Sequence, residues 1–130
     1  MRAVDTNVIV RVFAEDDPEQ ADTADGVLAA DAVFLPKTVI LEFEWVMRSV
    51  YRKPAAAIAA AIERMLETAN VQVEDQTAVT RAVAWFRQGM DFADALHLAS
   101  SGHADAFVTF DVDLRRQAAR LGVKPPVVAP

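Results

Sequence analysis

Short apolar runs alternate along this chain with segments of helical length, and that alternation constrains the fold more than any other feature. Residues 3–4, 32–35, 71–73, 106–109 and 127–128 read as strands. Between them the periodicity predicts helices: a short one through Ile9 to Phe13, one starting at Asp17, and others over 38–51, from Pro54 to Leu66, over 76–87, from Asp91 to about Ser101, and over 112–120. Strands separated by helices cannot close as hairpins. The expectation is therefore an α/β fold, with a central, largely parallel β-sheet flanked by helices and the first strand inside it. In such sheets chemistry-bearing groups gather at the carboxyl ends of the strands.

Local signals support this reading. In Asp16-Asp17-Pro18-Glu19-Gln20, Asp17 can cap a helix, Pro18 suits its first position, and Gln20 can reach back. Pro54 opens an Ala-rich stretch in which Ile58, Ile62, Met65 and Leu66 recur at helical spacing. No repeat or Ser/Gly-rich linker interrupts the chain. Its 130 residues fit one domain able to bury a sizeable core. With 53% apolar and 25% charged residues the composition is globular.

Composition also removes several chemistries. There is no Cys, which excludes a thiol nucleophile and thiolate metal sites and fits a reducing cytoplasm. Two His exclude a three-His zinc centre. No apolar run is long enough to span a bilayer, and an acid at position 5 comes too early for a signal peptide. The net charge of −6 argues against nonspecific attraction to a polyanion. Divalent cations can invert that logic locally, so the placement of the acids decides the matter.

Most acids, including Glu15, Asp22, Asp25, Glu63 and Glu67, fall on polar helix faces and read as solvated. Four do not. Asp5 follows the first strand, where it either caps the next helix or belongs to a site. On the 38–51 helix, Val39, Ile40, Phe43, Val46, Met47, Val50 and Tyr51 form one apolar stripe, with Glu42 at its rim, roughly 40° from Val46. Asp94 repeats that geometry, roughly 40° outside Leu98, and can alternatively complete a cap with Asp91; His97 reads as a plain exposed residue. Asp111 follows the fourth strand and can cap the next helix, with Asp113 in its first turn. If the four acids converge, they cannot all stay ionised without a cation. Oxygen-only ligands favour Mg²⁺ or Mn²⁺, which can activate water against a phosphodiester.

These residues form a recognisable series. Asp5-Thr6-Asn7, the acid within Leu41-Glu42-Phe43-Glu44-Trp45, Asp91-Phe92-Ala93-Asp94-Ala95-Leu96-His97, and Thr109-Phe110-Asp111-Val112-Asp113 occur in that order. The series resembles PIN-domain ribonucleases, and within them bacterial toxins of VapC type, over essentially the whole chain. The resemblance implies a single nuclease domain over residues 1–130. It implies metal-binding and catalytic acids at Asp5, Glu42, Asp94 and Asp111, with Asp113 assisting the metal and Thr6, Asn7 and Thr109 orienting the site. It further implies Mg²⁺- or Mn²⁺-dependent cleavage of single-stranded RNA, a cognate antitoxin and a homodimer. Arg11, Arg48, Arg52, Lys53, Arg115 and Arg116 are candidates to hold flanking phosphates or are simply solvated.

Leu41 and Trp45 lie one turn apart, off the apolar stripe, with Arg48 and Arg52 on the same face. A large aromatic flanked by Arg marks either an interface, here expected for the antitoxin, or a packing site against the Ala-rich helix. Two other functions compete with the nuclease. One is a catalytically silent PIN-like binding module. The other is a phosphoacceptor signalling domain, for which Glu74 and Asp75 after the third strand lack the expected partner.

Overall fold

The computed structural model describes residues 1–14 and 17–130. Glu15 and Asp16 lie outside the described residues, and with them the solvated reading of Glu15 and the Asp16 part of the second helix's start. In chain order the described elements are β1 (Arg2–Ala3), α1 (Thr6–Ala14), α2 (Pro18–Ala30), β2 (Val33–Leu35), α3 (Lys37–Ser49), α4 (Ala55–Glu67), β3 (Val71–Val73), α5 (Gln76–Arg87), α6 (Phe92–Ala99), β4 (Phe107–Val108), α7 (Val112–Leu121) and β5 (Val127–Val128). The fold is α/β and every strand pairing is parallel. No described helix is long and apolar enough to cross a membrane.

The chain divides into two compact units, Met1–Gln76 and Thr77–Pro130. In the first, β1, β2 and β3 pair side by side in sequence order. Val33 and Leu35 of β2 are fully buried and lie beside Val71 and Val73 of β3. Within this ladder β1 pairs with β2, and Arg2 and Ala3 are exposed. Burial begins only at Val4, whose N–H donates to the Phe34 carbonyl at 3.3 Å.

Helices supply most of the first unit's core. Ile40, Phe43 and Met47 of α3 are buried at i, i+3 and i+7, and α1 packs against both α2 and α3. Phe43 meets Phe13 of α1 edge-on with ring centroids 5.7 Å apart, and the Arg64 guanidinium of α4 covers the Phe13 ring at 5.3 Å. Helix α2 starts as its sequence requires: the Asp17 side chain accepts the Gln20 N–H, and Pro18 follows the cap. Helix α3 follows Pro36 and has no cap of its own. Glu74 accepts the Lys37 N–H at 2.8 Å, and Asp75 pairs with the Lys37 ammonium at 2.9 Å. The two acids after β3 thus serve the start of a helix, which leaves the phosphoacceptor reading without support.

In the second unit β4 and β5 form a two-stranded parallel ladder. Its helices carry the expected apolar faces: Ala78, Val79, Ala82, Val83 and Phe86 on α5, and Phe92, Ala95, Leu96, Leu98 and Ala99 on α6. Phe86 and Phe92 pack edge-on at 5.4 Å. Helix α7 ends at Gly122 in the left-handed conformation (φ 65°), which lets the Val123 N–H return to the Ala118 carbonyl.

Phe43 tests whether the α1–α3 contact holds the first unit together. Its side chain is fully buried, so Phe43→Ala removes both the apolar surface and the partner of Phe13. The expected loss is about 3–5 kcal/mol, read as a lower midpoint in urea unfolding.

Candidate active site

In the first unit the candidate residues gather where β1 gives way to α1. The Asp5 carboxylate turns back onto the new helix and accepts the Thr6 N–H at 2.7 Å, while its backbone carbonyl accepts the Val8 N–H. A negative side chain is favoured at the positive end of a helix, but this bond goes to the next residue's own N–H and not to one further into the turn, so Asp5 does not close its helix as Asp17 does. Thr6 is buried, and its hydroxyl donates to Oε1 of Glu42 on α3. That bond fixes the Glu42 carboxylate in the cleft that Asp5 also lines. Glu42 is exposed rather than rim-buried, but it is oriented.

Asp5, Thr6 and Glu42 share a cleft of about 310 Å³ with Asn7, Val10, Arg11, Val46, Val50 and Tyr51. Nη1 of Arg11 donates to the Tyr51 hydroxyl at 3.2 Å. The expected apolar stripe on α3 is corrected here. Val39, Val46 and Tyr51 are half-buried and Val50 is 59% exposed. The place they leave in the buried stripe is taken by Glu44, only 2% exposed and paired with Nε of Arg48 at 2.7 Å. The sequence reading missed Glu44. The available signal was Arg48 one turn on, at the spacing of an ion pair.

In the second unit the acids again occupy helix starts. Asp91 caps α6, accepting the Asp94 N–H at 3.0 Å, and Asp111 caps α7, accepting the Leu114 N–H at 3.0 Å. The Thr109 hydroxyl accepts the Asp111 N–H, and Arg115 donates to the Thr109 carbonyl at 2.7 Å. Thr109 and Arg115 therefore shape the loop that carries Asp111. Asp113 is exposed in the first turn of α7, and His97 is exposed as expected.

Asp94 is half-buried, and its carboxyl is pushed above the ordinary value of 3.8. Burial is the main cause, the charges of Asp91 and Asp111 add to it, and His97 opposes it. Asp94 and Asp111 thus feel each other, as Asp5 and Glu42 share a cleft. Among the described residues no three His, Asp or Glu side chains are grouped as a preformed metal cage. The donor set still suits a hard divalent cation. Every candidate is a carboxylate oxygen, and the crowding at Asp94 is the kind that a cation relieves.

On the outer face of α3, Trp45 is 54% exposed and Leu41 half-buried, so the aromatic does not pack into the core. Arg48 is committed to Glu44, and Arg52 is exposed with its backbone in the left-handed region at φ 54°.

Compared with known protein families, residues 2–120 match the PIN domain model. A comparison with curated proteins finds no match.

The raised pKa of Asp94 has a definite sign. A carboxyl whose folded pKa lies above its unfolded value is harder to ionise in the fold. It therefore contributes a destabilising effect that is absent well below 3.8 and full above the folded pKa. With divalent ions chelated, Asp94→Asn should melt about 2–4 °C above wild type at pH 7. The gap should close as the pH falls through 3.8. Differential scanning calorimetry at several pH values measures this, and a mutant that melts lower at pH 7 contradicts it.

Proposed function

The chain belongs to the PIN domain family, and on that premise we propose that it is a divalent-metal-dependent endoribonuclease cutting single-stranded RNA. PIN domains are generally nucleases and typically depend on a metal. The finer reading is that this one is the VapC-type toxin of a toxin–antitoxin pair, acting in the cytoplasm as a homodimer and restraining translation and growth. The observation that carries the proposal is the extent of the family match, which encloses Asp5, Glu42, Asp94, Asp111 and Asp113.

Asp5, Asp94 and Asp111 are the proposed ligands of Mg²⁺, for which Mn²⁺ can substitute, with Glu42 and Asp113 assisting. A bound divalent cation would supply Lewis-acid stabilisation of charge at the scissile phosphate. The remaining work belongs to the chain. Thr6 holds Oε1 of Glu42, which leaves Oε2 to orient an attacking water and take its proton. Asn7 lines the same cleft and can donate from its amide to a phosphate oxygen. Thr109 sets the loop from which Asp111 projects. An unstacked strand suits a narrow cleft better than a duplex does.

Wild type should cleave a fluorogenic single-stranded RNA in Mg²⁺ or Mn²⁺ and stop in EDTA. Asp5→Asn and Asp94→Asn should each lower turnover at least about 100-fold while far-UV circular dichroism stays native. Cleavage that persists in EDTA and in both variants overturns the proposal. Folded protein that binds RNA without cutting it in either metal identifies the silent binding module instead.

For the antitoxin, the docking face proposed is that of Leu41, Trp45, Arg48 and Arg52. Trp45→Ala should weaken the complex about tenfold or more in a calorimetric titration. Unchanged affinity places the partner elsewhere.

A further inference from the structure

The cleft that holds Asp5 and Glu42 has a second side that the chemistry above does not use. Val10, Val46, Val50 and Tyr51 line it together with the polar residues Thr6, Asn7, Arg11 and Glu42. Val50 is 59% exposed although it follows directly on a helix whose other apolar residues are mostly covered. Tyr51 is the chain's only tyrosine, and Arg11 holds its hydroxyl from α1. Apolar side chains and a hydrogen-bonded aromatic sharing one cleft with an amide and two carboxylates are the composition of a small-ligand subsite.

We infer that this cleft is a nucleobase subsite, in which one unstacked base of the RNA lies against Tyr51 and Val50 beside the catalytic acids. The inference rests on the ribonuclease reading. The volume of about 310 Å³ is at the lower limit of the roughly 300–1,000 Å³ of small-ligand pockets, room for one nucleotide and not for a stacked pair. Aromatic stacking on splayed bases is the general means of holding single-stranded RNA. Asn7 brings a donor and an acceptor to the same cleft, the pair needed to read a base edge. Arg11 lies in the same cleft and donates to the Tyr51 hydroxyl, while the ring itself supplies the stacking surface.

A wider groove of about 630 Å³ runs along α1 and α2 and shares Asn7 and Arg11 with this cleft. Among the described residues it is lined by Asp17, Glu19 and Gln20, with Arg11 as its one cation and no aromatic side chain. Neither a phosphate nor a base is favoured there, so the base is assigned to the smaller cleft.

Two measurements test the subsite. In the first, ¹⁵N-labelled wild type in EDTA is titrated with adenosine, uridine and ribose, and followed by NMR. At least one nucleoside should shift the amides of Asn7, Arg11, Val46, Val50 and Tyr51, and ribose should shift them at least about tenfold less. Equal responses to ribose and nucleosides, or no response to any, overturn the subsite. This titration needs neither metal nor turnover, so it decides the subsite even if the chain cuts no RNA, an outcome that would sink the ribonuclease reading separately. The second measurement applies to the active enzyme. Tyr51→Ala should raise KM for a single-stranded RNA about tenfold with a much smaller effect on kcat, and Tyr51→Phe, which keeps the ring, should recover most of the loss. A KM unchanged in Tyr51→Ala, or an equal loss in Tyr51→Phe, removes stacking as the role of this residue.

Discussion

Strands of two and three residues cannot hold a sheet by their own hydrogen bonds, and this chain has only such strands among its described residues. Each ladder is maintained by the helices beside it. In the first unit β2 and β3 keep their register because Val33, Leu35 and Val73 are buried, and because α3 and α4 fix the turns between them. Parallel pairing forces those helical crossovers. A crossover begins where a strand ends, so every strand end is also near a helix start. At such a junction several backbone N–H groups lack a helical partner and call for an acceptor.

That need explains the acids. Asp5, Asp17, Asp91 and Asp111 each accept a backbone N–H at or next to a helix start, and Glu74 does the same for α3 from another element. A carboxylate at a helix N-terminus is stabilised there by the helix dipole, so the fold can keep it ionised at little cost. For Asp111, capping and metal binding are not rival explanations. One oxygen can accept the N–H while the other remains available to a cation. Asp94 is different. Its own N–H is the one capped, its carboxyl is not tied to a helix start, and burial and two like charges press on it. The fold bears a cost for that carboxylate, which a nearby cation would relieve.

Periodicity carried much of this into view. Val71–Val73 and Gln76–Arg87 stand where the pattern puts them, because both are bounded by clear polar turns and face one way. The capping residues Asp17, Asp91 and Asp111 were legible for the same local reason. What was not legible depended on neighbours. The pairing of β1 with β2 is set by strand order, which no local pattern records. Helix α3 shows the limit most clearly. Its apolar residues are too many for one buried face, so periodicity alone could not say which of Val46, Val50 and Tyr51 would be left at a cleft. Contact with α1 decides it. For the site, the residue types and their order were legible in the sequence, but the exposure of Glu42 was not. The Thr6 hydroxyl that orients Glu42 was not, because it comes from a helix 36 residues away.

Glu42 and Glu44 show how one helix separates chemistry from architecture. Two positions apart on α3, they point about 200° around the axis from one another. Glu42 reaches the cleft, where Thr6 takes one of its oxygens. Glu44 turns into the core, and its charge is tolerable there because Arg48, one turn on, reaches back to it with Nε at 2.7 Å. Removing one partner of such a pair strands the other, so Arg48 has a structural duty before any functional one. This changes the reading of the outer face. Arg48 cannot be counted as a mobile cation awaiting a phosphate, since leaving Glu44 would expose a buried carboxylate to the full cost of desolvation. What Arg48 can offer a partner is a side chain already fixed in place, half-exposed beside Trp45. A pre-positioned cation next to an exposed indole loses little conformational freedom on binding, and such pairs carry a large share of the energy of protein interfaces. The buried carboxylate that the fold must neutralise is thus also what makes the adjacent surface rigid.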